Sequence, residues 1–156
     1  MLNALKSRNT VKPLKSILLV EDDKDDQVFF IEALSKIKKA TLYDVANNGK
    51  EALEKLKDRD TLPDFIFMDI NMPLMNGVEC LAAILKNPRT RNISVIILAT
   101  DTWHTDLLSR LGAKAILKKP IEMKTLQWML ERIINSEFIH NTDTLRRPLP
   151  SESITY

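Results

Sequence analysis

The chain has 156 residues, 44% hydrophobic and 28% charged, with 23 basic and 21 acidic side chains leaving a net charge of +2. That length suits one globular domain able to bury about two thirds of its unfolded surface without disulfides, and the balanced charge gives no ground for nucleic-acid binding. No apolar run approaches the ~20 residues that cross a bilayer, the basic opening MLNALKSRNTVKPLKS lacks the apolar segment of a secretory signal, and the single cysteine, Cys80, fits a reducing compartment; a cytoplasmic location is expected, with no membrane partner.

Residues 1–15 read as a basic N-terminal arm, and Ser16–Val20 as a short buried strand that ends in the acidic run EDDKDD, Glu21 to Asp26. Phe30, Ala33, Leu34 and Ile37 then recur at the spacing of one helical face, and the acids at the first turn suit the positive end of its dipole. Thr41–Val45 is a weaker strand, placed at an edge because Asp44 interrupts it. Asn48 followed by Glu51 resembles a capping box, opening a helix that buries Ala52, Leu53 and Leu56.

Phe65 to Met68 is apolar at every position and runs into Asp69, as expected of a central parallel strand covered on both faces. Asn76 and Glu79 repeat the capping pattern, with Val78, Leu81, Ala82 and Leu85 as the expected buried stripe of a helix ending at Asn87 and Pro88. Val95–Ala99 is another buried strand, ending at Thr100. Asp101 to Leu111 leaves room for only about two helical turns before Gly112, a C-cap. Ala115–Leu117 is a small strand closed by Lys118, Lys119 and Pro120, and Leu126, Met129, Leu130, Ile133 and Ile134 mark a final helix. From residue 138 to 156 periodicity is lost and prolines appear, which reads as a flexible C-terminal tail.

Strands alternating with helices in this way give a (βα)5 pattern, and right-handed crossovers favour a doubly wound α/β fold. The flavodoxin-like five-stranded parallel sheet, order 2-1-3-4-5, is the natural choice, here with a shortened fourth helix. Strands one, three, four and five then carry Glu21 and Asp22, Asp69, Thr100 and Lys119 to one sheet edge. Converging carboxylates repel one another and need cations. Oxygen ligands without histidine or cysteine suit a hard ion such as Mg2+ and phosphoryl chemistry better than zinc hydrolysis. Carboxylates can attack phosphorus to give an aspartyl phosphate, and Asp69, alone at the end of the central strand, is the best-placed nucleophile.

The segments LLVEDD (18–23), DINMPLMNG (69–77), IILAT (96–100) and LGAKAILKKP (111–120), in this order and spacing, resemble a response-regulator receiver domain of bacterial two-component signalling over about residues 16–136. The resemblance implies a receiver unit over 16–137 in which Asp69 accepts a phosphoryl group from a sensor histidine kinase or a histidine phosphotransfer protein. It implies that Glu21, Asp22, Asp69 and the backbone carbonyl of Asn71 hold Mg2+, that Thr100 and Lys119 bind phosphoryl oxygens, and that the Lys119–Pro120 bond is cis. Such a module catalyses only its own phosphorylation and dephosphorylation and signals by contact with a downstream protein, with a homodimer through the fourth or fifth helix as one form of output.

Three features depart from that pattern. Ile116 stands where a switching Tyr or Phe is usual, the fourth helix is short, and Asp101 replaces the small residue that commonly follows the threonine, so its charge opposes an incoming phosphodonor. They motivate an alternative, a receiver-like scaffold that works without phosphorylation. A haloacid-dehalogenase-type phosphatase would want a second aspartate where Asn71 stands, and a calcium loop would want a glycine that EDDKDD lacks. Blander expectations attach to His104 as an exposed side chain, Trp103 and Trp128 as packing or partner-surface residues, Cys80 as a small apolar filler, and Arg146 and Arg147 as a solvated tail.

Overall fold

A computed structural model describes residues 13–101 and 105–135; the expectations for Trp103, His104, most of the N-terminal arm and the C-terminal tail lie outside them. The chain alternates β1 (Lys15–Val20), α1 (Lys24–Ser35), β2 (Ala40–Ala46), α2 (Gly49–Lys57), β3 (Phe65–Asp69), α3 (Gly77–Lys86), β4 (Ser94–Ala99), α4 (Thr105–Leu111), β5 (Ala115–Lys118) and α5 (Met123–Asn135). All strand pairs are parallel and the order is β2-β1-β3-β4-β5, as the pattern predicts.

The unbroken apolar runs follow from burial on both faces. Leu18, Val20, Ile66, Met68, Val95 and Ile97 point to one side, where they meet Ala52, Leu56, Leu81, Ile84 and Leu108 of α2, α3 and α4. Their neighbours Ile17, Leu19, Phe65, Phe67, Ile96 and Leu98 point to the other, against Phe30, Ala33 and Leu34 of α1 and Leu126, Leu130 and Ile133 of α5. The strand period of two thus splits each run between two cores. Because no position in such a run can be polar without sitting in a core, the first charged residue after it must lie at the sheet edge.

β2 is an edge strand, as Asp44 suggests. Its register against β1 slips so that Ile17 faces Leu42 while Leu18 faces Asp44. The Asp44 carboxylate then accepts from Lys55 Nζ at 3.0 Å and from Arg59. Arg89 donates to the carbonyls of Leu56 at 3.1 Å, Lys57 at 2.7 Å and Arg59, closing the end of α2.

The helix caps depart from expectation in detail. Asn76 and Glu79 form the full capping box at α3. At α2 the Asn48 side chain accepts from the Glu51 N–H at 2.9 Å, but Glu51 reaches past Asn48 to the N–H of Asn47 at 3.0 Å, so only half a box forms. The buried face of α3 is Gly77, Cys80, Leu81 and Ile84, with Ala82 exposed and Val78 and Leu85 only partly covered. Gly77 sets this rotation, because it is pressed against the end of β3 and carries Cys80 and Ile84 inward with it. Leu53 is likewise only half-buried.

α4 has seven residues and one fully buried side chain, Leu108. Gly112 ends it with φ +110°, a left-handed conformation that suits glycine, and its N–H donates back to Ser109 and Leu108. The stripe expected for α5 is buried at all its positions. The Lys119–Pro120 bond is trans, correcting the expectation of a cis bond, since no cis bond occurs among the described residues. X–Pro bonds favour trans by about 0.5–1 kcal/mol, and Lys119 reaches its acidic partners in that geometry. No described helix is long and apolar enough to cross a membrane.

Candidate functional site

The parallel register places Val20 opposite Met68, Asp69 opposite Leu98, and Ala99 opposite Lys118. Glu21, Asp69, Thr100 and Lys119 therefore leave four strands at the same edge. The Glu21 N–H is fixed by the Ala46 carbonyl at 2.9 Å, and the Lys119 N–H by the Ala99 carbonyl at 2.8 Å, so both side chains spring from anchored backbone.

Glu21 and Asp69 are buried, with 2% and 8% of their surface exposed, whereas Asp22 lies open. Carboxylate oxygens of Glu21, Asp22 and Asp69 lie within 4.8 Å of one another. Lys119 Nζ sits among them, 2.7 Å from Glu21 Oε2, 2.9 Å from Asp26 Oδ2 and 3.4 Å from Asp69 Oδ2. Glu21 Oε1 accepts from the Asp23 N–H at 3.1 Å, and Asp69 Oδ1 from the Ile70 N–H at 2.8 Å. Three carboxylates from two strand ends, with no nitrogen or sulfur ligand, match the donor set of a hard divalent cation. Buried acids held this close also need more positive charge than one lysine provides.

Burial pushes the Asp69 carboxyl above the usual aspartate range; the Lys119 charge and the Ile70 N–H pull it back in part, and the Asp22 charge adds to the rise. Glu21 is raised for the same first reason, opposed by Lys119 and the Asp23 N–H. Burial would lower Lys119, but its bonds to Glu21 and Asp26 and the charges of Asp69 and Glu21 outweigh this and hold it above the ordinary lysine value. Because Asp69 titrates higher folded than unfolded, wild-type stability falls as pH rises from about 4 through the folded pKa. Without metal, Asp69→Asn is expected to raise Tm at pH 7 by roughly 2–8 °C, the effect of ~1 kcal/mol. The gain should shrink as pH falls and the wild-type carboxyl takes up its proton. Thermal unfolding in chelator from pH 4 to 8 checks this; a variant no more stable at pH 7 would contradict it.

Thr100 and Asp101 are exposed just beyond β4, and Asn71 is exposed in the loop after β3. A cleft of about 520 Å³ between α1 and α5 is lined by Phe29, Phe30, Ile121 and Leu126 together with Thr100 and Lys119. Lys118 is the last residue of β5 and exposed; Lys119 is the lysine that reaches the acids. Ile116 is half-buried against the α2–α3 side of the sheet.

Two side chains of this site were not singled out by sequence. Gln27 is buried in α1, and its Nε2 donates to the Glu21 carbonyl at 2.6 Å and to Asn47 Oδ1 at 3.0 Å, tying the β1–α1 loop to the β2–α2 loop. Its signal was present: it stands on the inward stripe, three residues before Phe30. Asp26, taken only as a helix-dipole acid, is bonded to Lys119.

A doubly wound sheet with three carboxylates and a lysine at its carboxyl edge brings together groups suited to phosphoryl chemistry. The chain belongs to the response regulator receiver domain family, whose profile matches residues 17–131, and it is a receiver domain of two-component signalling. The probable C4-dicarboxylate response regulator DctR of Bacillus subtilis is 28% identical over 116 residues, 74% of this chain and 50% of DctR, so the chain spans half the length of that relative. The chemotaxis protein CheY of Thermotoga maritima is 31% identical over 123 residues, covering 76% of this chain and 97% of CheY. Among solved structures, the phosphorylated cyanobacterial phytochrome response regulator RcpA superposes with a TM-score of 0.70 at 28% identity, covering 79% of this chain and 95% of RcpA.

Proposed function

We propose that this receiver domain accepts a phosphoryl group on Asp69 from a phosphohistidine of a sensor histidine kinase or a histidine phosphotransfer protein, in a reaction that requires Mg2+. The observation that carries the reading is the placement of Asp69. It ends the central strand, buried, 3.4 Å from Lys119, with carboxylates of Glu21 and Asp22 beside it. An Asp69 oxygen attacks phosphorus as the P–N bond of the donor breaks, and the imidazole leaves with the electron pair and a proton from solvent.

Lys119 and the Thr100 hydroxyl are assigned to the phosphoryl oxygens, where a fixed ammonium in a partly water-excluded site counters developing charge strongly. Glu21, Asp22, Asp69 and the Asn71 carbonyl are the assigned ligands of Mg2+, which would offset the repulsion between the acidic cluster and an anionic phosphoryl group. The aspartyl phosphate adds charge and acceptor oxygens, drawing Thr100 and its loop inward. The output is a contact with a downstream protein, a second copy through α4 or α5 included.

The test is mass spectrometry after incubation with Mg2+ and acetyl phosphate. A gain of one phosphoryl group is expected, and none when a chelator is present from the start. A chain that stays unmodified, with a histidine kinase as donor as well, would replace this reading with the phosphorylation-independent scaffold, for which the exposed Asp101 next to Thr100 is the motivating feature.

A further inference from the structure

The three acceptors of Lys119 are not equivalent. Glu21 Oε2 and Asp69 Oδ2 belong to carboxylates that the proposed Mg2+ site needs, whereas Asp26 projects from the first turn of α1 and lies outside the acidic trio. Asp26 nevertheless makes the second shortest contact, 2.9 Å against 3.4 Å for Asp69. The Lys119 side chain is only 17% exposed, so an ammonium displaced from Glu21 cannot simply turn to bulk water. It has to keep a protein acceptor or lose solvation.

Both oxygens of Glu21 are occupied, Oε1 by the Asp23 N–H and Oε2 by Lys119. A cation that binds Glu21 through Oε2 therefore competes with Lys119 for that atom. Asp26 offers the lysine a partner that the cation does not claim, and its own backbone N–H is already held by Asp23 Oδ1 at 3.0 Å, so the start of α1 does not rely on its carboxylate.

We propose that Asp26 is a positioning residue that holds the Lys119 ammonium aside, so that Glu21 and Asp69 are free to receive a divalent cation while the lysine stays at the mouth. This rests on the Mg2+-dependent reading above. With Asp26 neutral, Lys119 has only Glu21 and Asp69 left among these acceptors, and it occupies the place of the metal more firmly. Asp25 provides the control. It lies in the same exposed first turn and carries the same charge, and no bond from its carboxylate to Lys119 is among those made by the ammonium.

The experiment is Mg2+ titration by calorimetry of the wild type, Asp26→Asn, Asp25→Asn, Lys119→Met and the double variant Asp26→Asn/Lys119→Met. Asp26→Asn is expected to weaken binding roughly three- to tenfold, and Asp25→Asn less than about twofold, as a screened surface charge does. In the Lys119→Met background the Asp26→Asn effect should fall to that of Asp25→Asn, since the cycle isolates what passes through the lysine. A merely structural role would lower Tm and leave the cycle additive. Equal losses from Asp25→Asn and Asp26→Asn, or an Asp26→Asn loss that persists without Lys119, would overturn the proposal while leaving the phosphoacceptor reading intact. A wild type that binds no Mg2+ would overturn both.

Discussion

Asp69→Asn protein incubated with Mg2+ and acetyl phosphate is expected to gain no phosphoryl group while keeping its fold. The amide preserves the shape of the side chain at the end of β3, and its carbonyl oxygen can still accept the Ile70 N–H that Asp69 Oδ1 accepts at 2.8 Å. It removes the nucleophile, because a neutral amide oxygen does not displace a leaving group from phosphorus. The loss should be complete rather than graded, since among the described residues the other buried carboxylate in contact with Lys119 is Glu21, which follows β1 and does not end the central strand. Circular dichroism and thermal unfolding establish that the variant is folded. Labelling that persists in it would move the acceptor to another carboxylate, with Glu21 and Asp22 the first to examine.

The second large effect concerns Gly77. A β-carbon there would lie 2.4 Å from the Asp69 carbonyl oxygen and 2.9 Å from the Ile70 α-carbon. Both neighbours are backbone, and the Gly77 N–H is bonded to the Ile70 carbonyl at 2.8 Å, so neither side can yield without breaking the junction of β3 and α3. Gly77→Ala should cost about 3 kcal/mol or more, beyond ordinary overpacking because no side chain can swing away, and lower Tm by roughly 10 °C. Chemical and thermal denaturation measure this. The same shift would displace Asp69, so phosphoryl incorporation should fall as well, even below the transition. A loss under about 1 kcal/mol would mean that α3 can withdraw from the strand at little cost.

Much of the fold was legible because a parallel sheet buried on both faces leaves a plain record. Its strands are apolar runs, and the first polar residue after each run stands at or beside the edge. Glu21, Asp69 and Thr100 follow from that rule, whereas Lys119 is told from its neighbour Lys118 only by the proline after it. The face of α3 was less legible. Ala82 is as apolar as a core residue but small enough to lie outside, and the rotation is decided by backbone contact at Gly77, which no periodicity records. Glu51 has the spacing of a capping box at α2 and uses it on Asn47 instead of Asn48, a difference of one N–H in the preceding loop. Asp26 was hidden for another reason. An acid in the first turn of a helix looks the same whether it faces only the dipole or also a lysine 93 residues away.

The short fourth helix has a mechanical consequence. α1, α2, α3 and α5 each press several side chains into a core, whereas α4 is pinned by Leu108 alone among fully buried residues. Withdrawing one leucine is a matter of about 1.5–3 kcal/mol, a sum comparable to a few hydrogen bonds at a modified aspartate. The domain is thus held by the least burial at one corner, which follows the strand end that carries Thr100, and releasing α4 would open one core at Leu108 alone among its fully buried side chains.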